Sequence, residues 1–117
     1  MINMIRALNL NNACVKTLSA VEAEPSRSNQ HELNGVSQLK SLFGTTRQSI
    51  QANFSVRGEE GFTPVTLTWY DAREAHPTRS EYRLYFPTNN VMSQAQEGST
   101  LVFGNDNSGQ FWGELIR

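Results

Sequence analysis

Between Asp71 and Arg83 the chain places three arginines (Arg73, Arg79, Arg83), one histidine (His76) and two glutamates (Glu74, Glu81) within thirteen residues. Arg79, Glu81 and Arg83 alternate, so an extended backbone would point all three to one side. Those residue types can do a defined kind of chemistry. An arginine can grip guanine at O6 and N7, and a glutamate can accept from the N4 amino group of cytosine. Each good pairing discriminates by roughly 1–3 kcal/mol. A carboxylate near phosphates is otherwise unfavourable, so a glutamate flanked by arginines is a candidate cytosine reader. The same pattern also fits an exposed ladder of ion pairs, worth under about 1 kcal/mol. Pattern alone does not separate the two.

A second polar stretch runs from Ser26 to Glu32. Arg27, Asn29, Gln30 and His31 can each contact bases or phosphates, and Asn and Gln can pair with adenine at N6 and N7. They can equally make the local turns of an ordinary surface loop. Lys16 could neutralise a phosphate or simply be solvated. Other chemistry finds no support. There is no glycine-rich phosphate loop, zinc spacing or EF-hand. His31-Glu32 lacks the second histidine of a helical zinc motif, and Glu81-Tyr82-Arg83 has an arginine where a magnesium nuclease wants a lysine. No catalytic residue, metal or cofactor is assigned.

These stretches need a scaffold, and 117 residues suffice for one domain over residues 1–117. The chain is 38% hydrophobic with a net charge of −1, so a nucleic-acid contact must come from a local patch. A single cysteine, Cys14, allows no internal disulfide and no Cys-rich zinc site. No apolar run reaches the length of a membrane span, and Asn3, Arg6 and Asn9 break any signal-peptide pattern. A reducing, cytoplasmic location is the expectation. The chain ends abruptly on Leu115-Ile116-Arg117, as a piece of a longer protein would.

Met1, Met4, Ile5 and Leu8 predict a short helix. Ala13–Leu18 predicts a strand with Lys16 outward. Ala20–Gly35 has almost no core residues and reads as a long polar loop. Val36, Leu39, Leu42 and Phe43 predict a short helix ending at Gly44. Alternation predicts strands over Arg47–Arg57 and Pro64–Asp71, with Ile50, Ala52, Phe54, Val56, Val65, Leu67 and Trp69 inward. Glu81–Phe86, Ser99–Phe103 and Gln110–Ile116 complete six strands, with a helix or irregular link over Asn89–Gln96 and a tight turn at Asn105–Gly109. Short links predict an antiparallel, barrel-like sheet with short helices.

This order of elements resembles one family. Lys16-Thr17-Leu18-Ser19-Ala20, a polar arm ending near Gln30-His31 and a helix ending Leu42-Phe43 are similar to its first half. Leu67-Thr68-Trp69-Tyr70-Asp71-Ala72-Arg73 and Thr78-Arg79-Ser80-Glu81-Tyr82-Arg83 are similar to its second. The family is the effector-binding DNA-recognition domain of EcoRII-type restriction endonucleases, and the resemblance spans about residues 13–115. It implies a mainly β, antiparallel DNA-binding pseudobarrel of seven or so strands, a fold shared with a class of plant transcription factors. It also implies two arms that clamp the major groove, here about Glu24–Asn34 and Ala72–Arg83. The family's essential arginine and glutamate fall on Arg73 and Glu81, its further basic residues on Arg79 and Arg83, and its lysine after the first strand on Lys16. The chain departs from the pattern at Pro77, where a lysine is expected, and at Val21-Glu22, where Asn-Asp is expected. Ser26-Arg27-Ser28-Asn29 replaces a glycine-rich portion, and the His-Gln order is reversed as Gln30-His31.

The resulting expectation is a bacterial, monomeric domain that reads a short, C/G-containing site in double-stranded DNA. Arg73, Arg79, Glu81 and Arg83 would act from one side and Arg27, Asn29, Gln30 and His31 from the other. A nuclease domain in the same or a partner chain would cut. Two alternatives stay open: a β-barrel module that binds protein or a small ligand, and a hydrolase using His31 and Glu32.

Overall fold

The computed structural model describes residues 10–24, 30–73, 75, 78 and 80–117. The helix expected over Met1–Leu8 lies outside them, as do Arg27, Asn29 and Arg79. Seven strands form one curled, half-barrel sheet: β1 (Asn11–Thr17), β2 (Gln30–Leu33), β3 (Gln48–Val56), β4 (Thr63–Asp71), β5 (Tyr82–Pro87), β6 (Thr100–Asn105) and β7 (Phe111–Ile116). Their order across the sheet is β1-β6-β7-β3-β4-β5-β2. Two one-turn helices, α1 (Ala20–Ala23) and α2 (Lys40–Phe43), sit at the connections.

Alternation builds the core. Ala52, Phe54 and Val56 of β3, Val65, Leu67 and Trp69 of β4, and Tyr82, Leu84 and Phe86 of β5 are all buried on the concave side. Phe54 stands edge-on to Phe86 and Phe103, and Phe103 stacks on Phe111. Phe54 also lies over Gly113. A Cβ there would come within 2.9 Å of the ring, so the glycine makes room for the aromatic. One end of the sheet is closed by α2. Phe43 packs edge-on against Trp69 and Phe111, and Trp69 Nε1 donates to the Gly44 carbonyl at 3.0 Å. Gly44, at φ 74°, ends that helix as its sequence position predicts.

Three expectations need correction. The sheet is mixed, because β7 runs parallel to β3 while the other strand pairs are antiparallel. Alternation reveals which face a residue takes but not which way a distant strand runs. The stretch Ala20–Gly35 also contains α1 and β2, the latter paired with β5 from Gln30↔Pro87 to Leu33↔Leu84. This strand escapes a hydrophobicity pattern because its inward residues are only His31 and Leu33. Finally, Val15 rather than Lys16 points outward, at 63% exposure. Adjacent apolar residues at 14 and 15 leave the phase undecided, and burial of Cys14 and Leu18 sets it.

The edge strands β1 and β2 are not paired with each other; α1 spans the seam between them. Ser19 caps α1 by accepting from Glu22 N at 3.3 Å, while Glu22 Oε1 accepts from Ser19 N at 2.9 Å. The same carboxylate reaches both edges. It pairs with Lys16 of β1 at 3.1 Å and accepts from Asn34 N, just beyond β2, at 2.9 Å. His31 adds a third tie, since its Nδ1 donates to the Glu22 carbonyl at 2.7 Å.

Candidate functional site

The convex face of β4, β5 and β2 carries the candidate residues that the structure brings together. β4 and β5 pair Tyr70 with Arg83, and β5 and β2 pair Tyr85 with Glu32. Tyr70, Arg83 and Glu32 therefore project to one side, opposite the buried Trp69, Leu84 and Leu33. Glu32 Oε1 accepts from the Tyr70 hydroxyl and from Arg83 Nη1, the latter at 2.9 Å. Arg83 turns its other edge to Glu81: Nε donates to Oε2 at 2.8 Å, and Nη2 donates to the same oxygen. Arg73 Nε stands 3.8 Å from Glu81 Oε1, an ion pair too long for a hydrogen bond. Thus one Glu81 oxygen is held by Arg83, while Oε1 has no hydrogen-bond donor among the described residues.

The backbone under this cluster is fixed by Asp71. Its Oδ1 accepts from Glu81 N at 2.7 Å and Arg73 N at 2.9 Å, while Ala72 N donates to the Glu81 carbonyl at 2.8 Å. Asp71 thereby clamps both ends of the β4–β5 connection and sets where Arg73 and Glu81 leave the sheet. The Glu81 amide, then the Arg73 amide and the Lys40 and Arg73 charges, hold the Asp71 carboxyl below its ordinary range.

Electrostatics follow from the same contacts. The Tyr70 hydrogen bond and the Arg83 guanidinium hold the Glu32 carboxyl below its usual range. Burial and the Glu32 carboxylate push the Tyr70 hydroxyl up. Hydrogen bonds to Glu32 and Glu81 raise Arg83 further above its already high value. The side chains remain about a third exposed, 32% for Arg83, 35% for Glu32 and 36% for Glu81. Their ion pairs are accordingly worth only about 0–1 kcal/mol each and exchange readily for other partners.

Of the residues singled out in the sequence, Arg73, Glu81 and Arg83 meet in this cluster. Gln30 lies on the same convex side of β2, half-buried, with its Oε1 buried and unpartnered. Two others lie elsewhere. His31 is 1% exposed and stacks on Phe86. Its Nδ1 is used by the Glu22 carbonyl and its Nε2 by the Thr88 hydroxyl at 2.8 Å, so neither nitrogen faces a ligand. Lys16 is committed to Glu22 in the seam, with a side chain only 19% exposed, and does not present a free charge. Glu32 and Tyr70 were not picked out for this cluster in the sequence. Their roles depend on a cross-strand register that a missed β2 could not supply.

Among the described residues, no group of three or more His, Cys, Asp or Glu side chains could hold a metal ion. No helix among them is long and apolar enough to cross a membrane. No protein-family model matches the chain, and no curated protein resembles it at a significant level. The likeness to the EcoRII-type domain rests on the quoted residues alone.

Proposed function

We propose that this domain binds double-stranded DNA sequence-specifically through the major groove, as the specificity or effector module of a restriction endonuclease. Cleavage belongs to a nuclease domain in the same or a partner chain, and this chain is itself non-catalytic. One observation carries the reading: a surface glutamate, Glu81, held on one oxygen by Arg83 while the other, 3.8 Å from Arg73 Nε, has no hydrogen-bond donor among the described residues. Such an oxygen, set between two guanidinium groups, can accept from a cytosine amino group without repelling the neighbouring phosphates. Arg73 and Arg83 supply donors for guanine, and Gln30 supplies an amide from the adjacent strand. Cytoplasmic location belongs to the same proposal.

The test is selection of bound duplexes from a randomised pool at two salt concentrations, for the wild type and Glu81→Ala. The wild type should enrich one short C/G-containing motif. Glu81→Ala should lose about 1–3 kcal/mol at one cytosine position while binding unrelated duplexes at least as well, because a negative charge is gone. That opposite movement separates base reading from a plain charge effect. Unchanged preference in the variant would remove Glu81 from the site, and no enrichment by the wild type at either salt would remove the function. A second reading, a protein- or ligand-interaction module, is favoured by the surface pair of Phe62, 56% exposed, and Trp112, whose rings meet edge-on at 5.3 Å. It predicts no enrichment in that selection.

A further inference from the structure

Lys16, Arg57, Arg73, Arg83 and Arg117 each have a carboxylate within ion-pair distance. Among the described residues, Lys40 and Arg47 are the two side-chain cations that do not. Both are exposed, and each lies over an aromatic ring instead. The Arg47 guanidinium is 5.2 Å from the ring centre of Tyr70, and Lys40 Nζ is 5.0 Å from that of Tyr82. A ring face orients a cation without neutralising it. Both rings belong to the strands that carry the Glu81 cluster, and Tyr70 is the residue whose hydroxyl bonds Glu32. Tyr82 is itself held, stacked on Trp69 with its hydroxyl donating to the Thr45 carbonyl at 3.1 Å.

We infer that Lys40 and Arg47 form the phosphate-contacting element that flanks this cluster, Arg47 on its convex face and Lys40 at the rim, gripping the DNA backbone beside the bases that Arg73, Glu81 and Arg83 read; this rests on the DNA reading proposed above. The division of labour follows from charge. Arg83 and Arg73 share their charges with carboxylates, so they attract a polyanion weakly and are better suited to exchanging hydrogen bonds with base edges. Lys40 and Arg47 have no ion pair among the described residues, Lys40 acting only at longer range on Asp71, and so keep more of their charge for backbone contacts. Arg47 sits one residue before β3, whose Gln48 pairs with Trp69, and so extends the Tyr70–Arg83 row across the sheet. Lys40 opens α2 over the inward-facing Tyr82, and its charge reaches Asp71 at the root of the β4–β5 connection, so it stands at the rim beside Arg73 and Glu81 rather than on the convex face.

The test compares wild type, Lys40→Gln/Arg47→Gln, the charge-retaining Lys40→Arg/Arg47→Lys, and Arg57→Gln. The probes are the duplex enriched from the randomised pool and a scrambled duplex of the same composition, each over a series of salt concentrations. Loss of two phosphate contacts should flatten the slope of log affinity against log salt by about 0.9 per contact. The Gln double variant should weaken binding to both duplexes by a similar factor and leave the enriched motif unchanged. The charge-retaining variant and Arg57→Gln, whose cation is already paired with Glu114 at 2.7 Å, should keep the wild-type slope. A wild type that enriches a motif beside a Gln variant with unaltered slope would overturn this inference and leave the DNA reading standing. So would a Gln variant whose motif changes, because the pair would then be reading bases. If the wild type enriches nothing, both fall together.

Discussion

Replacing Glu22 with alanine should open the seam of the barrel. Glu22 is 4% exposed and its carboxylate makes three contacts: Ser19 N and Asn34 N, both at 2.9 Å, and Lys16 Nζ at 3.1 Å. A donor left without a partner costs about 1–3 kcal/mol where it is buried. Ser19 and Asn34 are exposed residues whose amides partly regain water, so with an unpaired Lys16 the loss comes to about 1–3 kcal/mol in all. For a domain near this size that is a fall in melting temperature on the order of 5–15 °C. The assay is urea unfolding followed by circular dichroism at neutral pH. Replacing both partners, as Lys16→Met/Glu22→Leu, should recover only the part owed to the stranded Lys16 charge, because leucine leaves the Ser19 and Asn34 amides without their acceptor. The pH dependence gives an independent check. Burial alone would raise the Glu22 carboxyl, but the Ser19 and Asn34 amides and the Lys16 ammonium outweigh it and hold it low. A carboxyl lowered in the folded state stabilises the fold fully above its unfolded value, about 4.3. That contribution disappears as pH falls through the lower folded value. The acid limb of the stability curve should therefore be shallower in Glu22→Ala than in the wild type. A loss below about 1 kcal/mol, or an unaltered acid limb, would show that the seam does not depend on this residue.

Two further outcomes follow from the packing. Gly113→Ala would drive a methyl group to within 2.9 Å of the fully buried Phe54 ring. It should cost about 1–3 kcal/mol through overpacking, measured by the same unfolding assay; a neutral result would mean that the ring has room to move. His31→Leu removes the donor to the Glu22 carbonyl and the partner of Thr88, and should cost about 1–3 kcal/mol. The folded fraction should enrich the same duplex motif as the wild type. A changed motif would return His31 to the DNA-contacting set.

The sequence yields its strands where one face is uniformly apolar. β4 alternates over its buried half and β3 does so except at Ser55, which is buried as well, and their inward residues are the ones read from the pattern. β2 was not legible because the sheet buries a histidine at a position where hydrophobicity scales expect a leucine, and pairs both ring nitrogens to do so. Once β2 is lost, so is the cross-strand partner of Arg83, and Glu32 looks like a loop residue. The signal that could have found it is faint: His31 and Leu33 two residues apart, with polar Gln30 and Glu32 between and beside them. Lys40 and Arg47 do not stand out in the sequence for a related reason. The role proposed for them depends on which other cations are neutralised, and that requires the register of every strand. Glu81 and Arg83 were legible because their pairing is local: two residues apart on extended chain, they needed only the strand to exist.

The distribution of paired and unpaired charge bears on how this face would discriminate. With a net charge of −1, the chain has little general attraction for a polyanion, so binding must be assembled from few contacts. On the proposed function, Arg83 approaches DNA already bonded to Glu81 and Glu32. A cognate guanine replaces partly exposed ion pairs, each worth about 0–1 kcal/mol, with a bidentate contact worth about 1–3 kcal/mol, and the exchange is favourable. A wrong base offers no such replacement, and Arg83 remains with its carboxylates. Arg83 kept on its carboxylates keeps them neutralised, so a wrong base is penalised by the missing contact and not by added repulsion. The ion pairs set the threshold that a base contact must exceed: the carboxylates that make the cluster look self-satisfied in isolation are what a cognate guanine must outcompete.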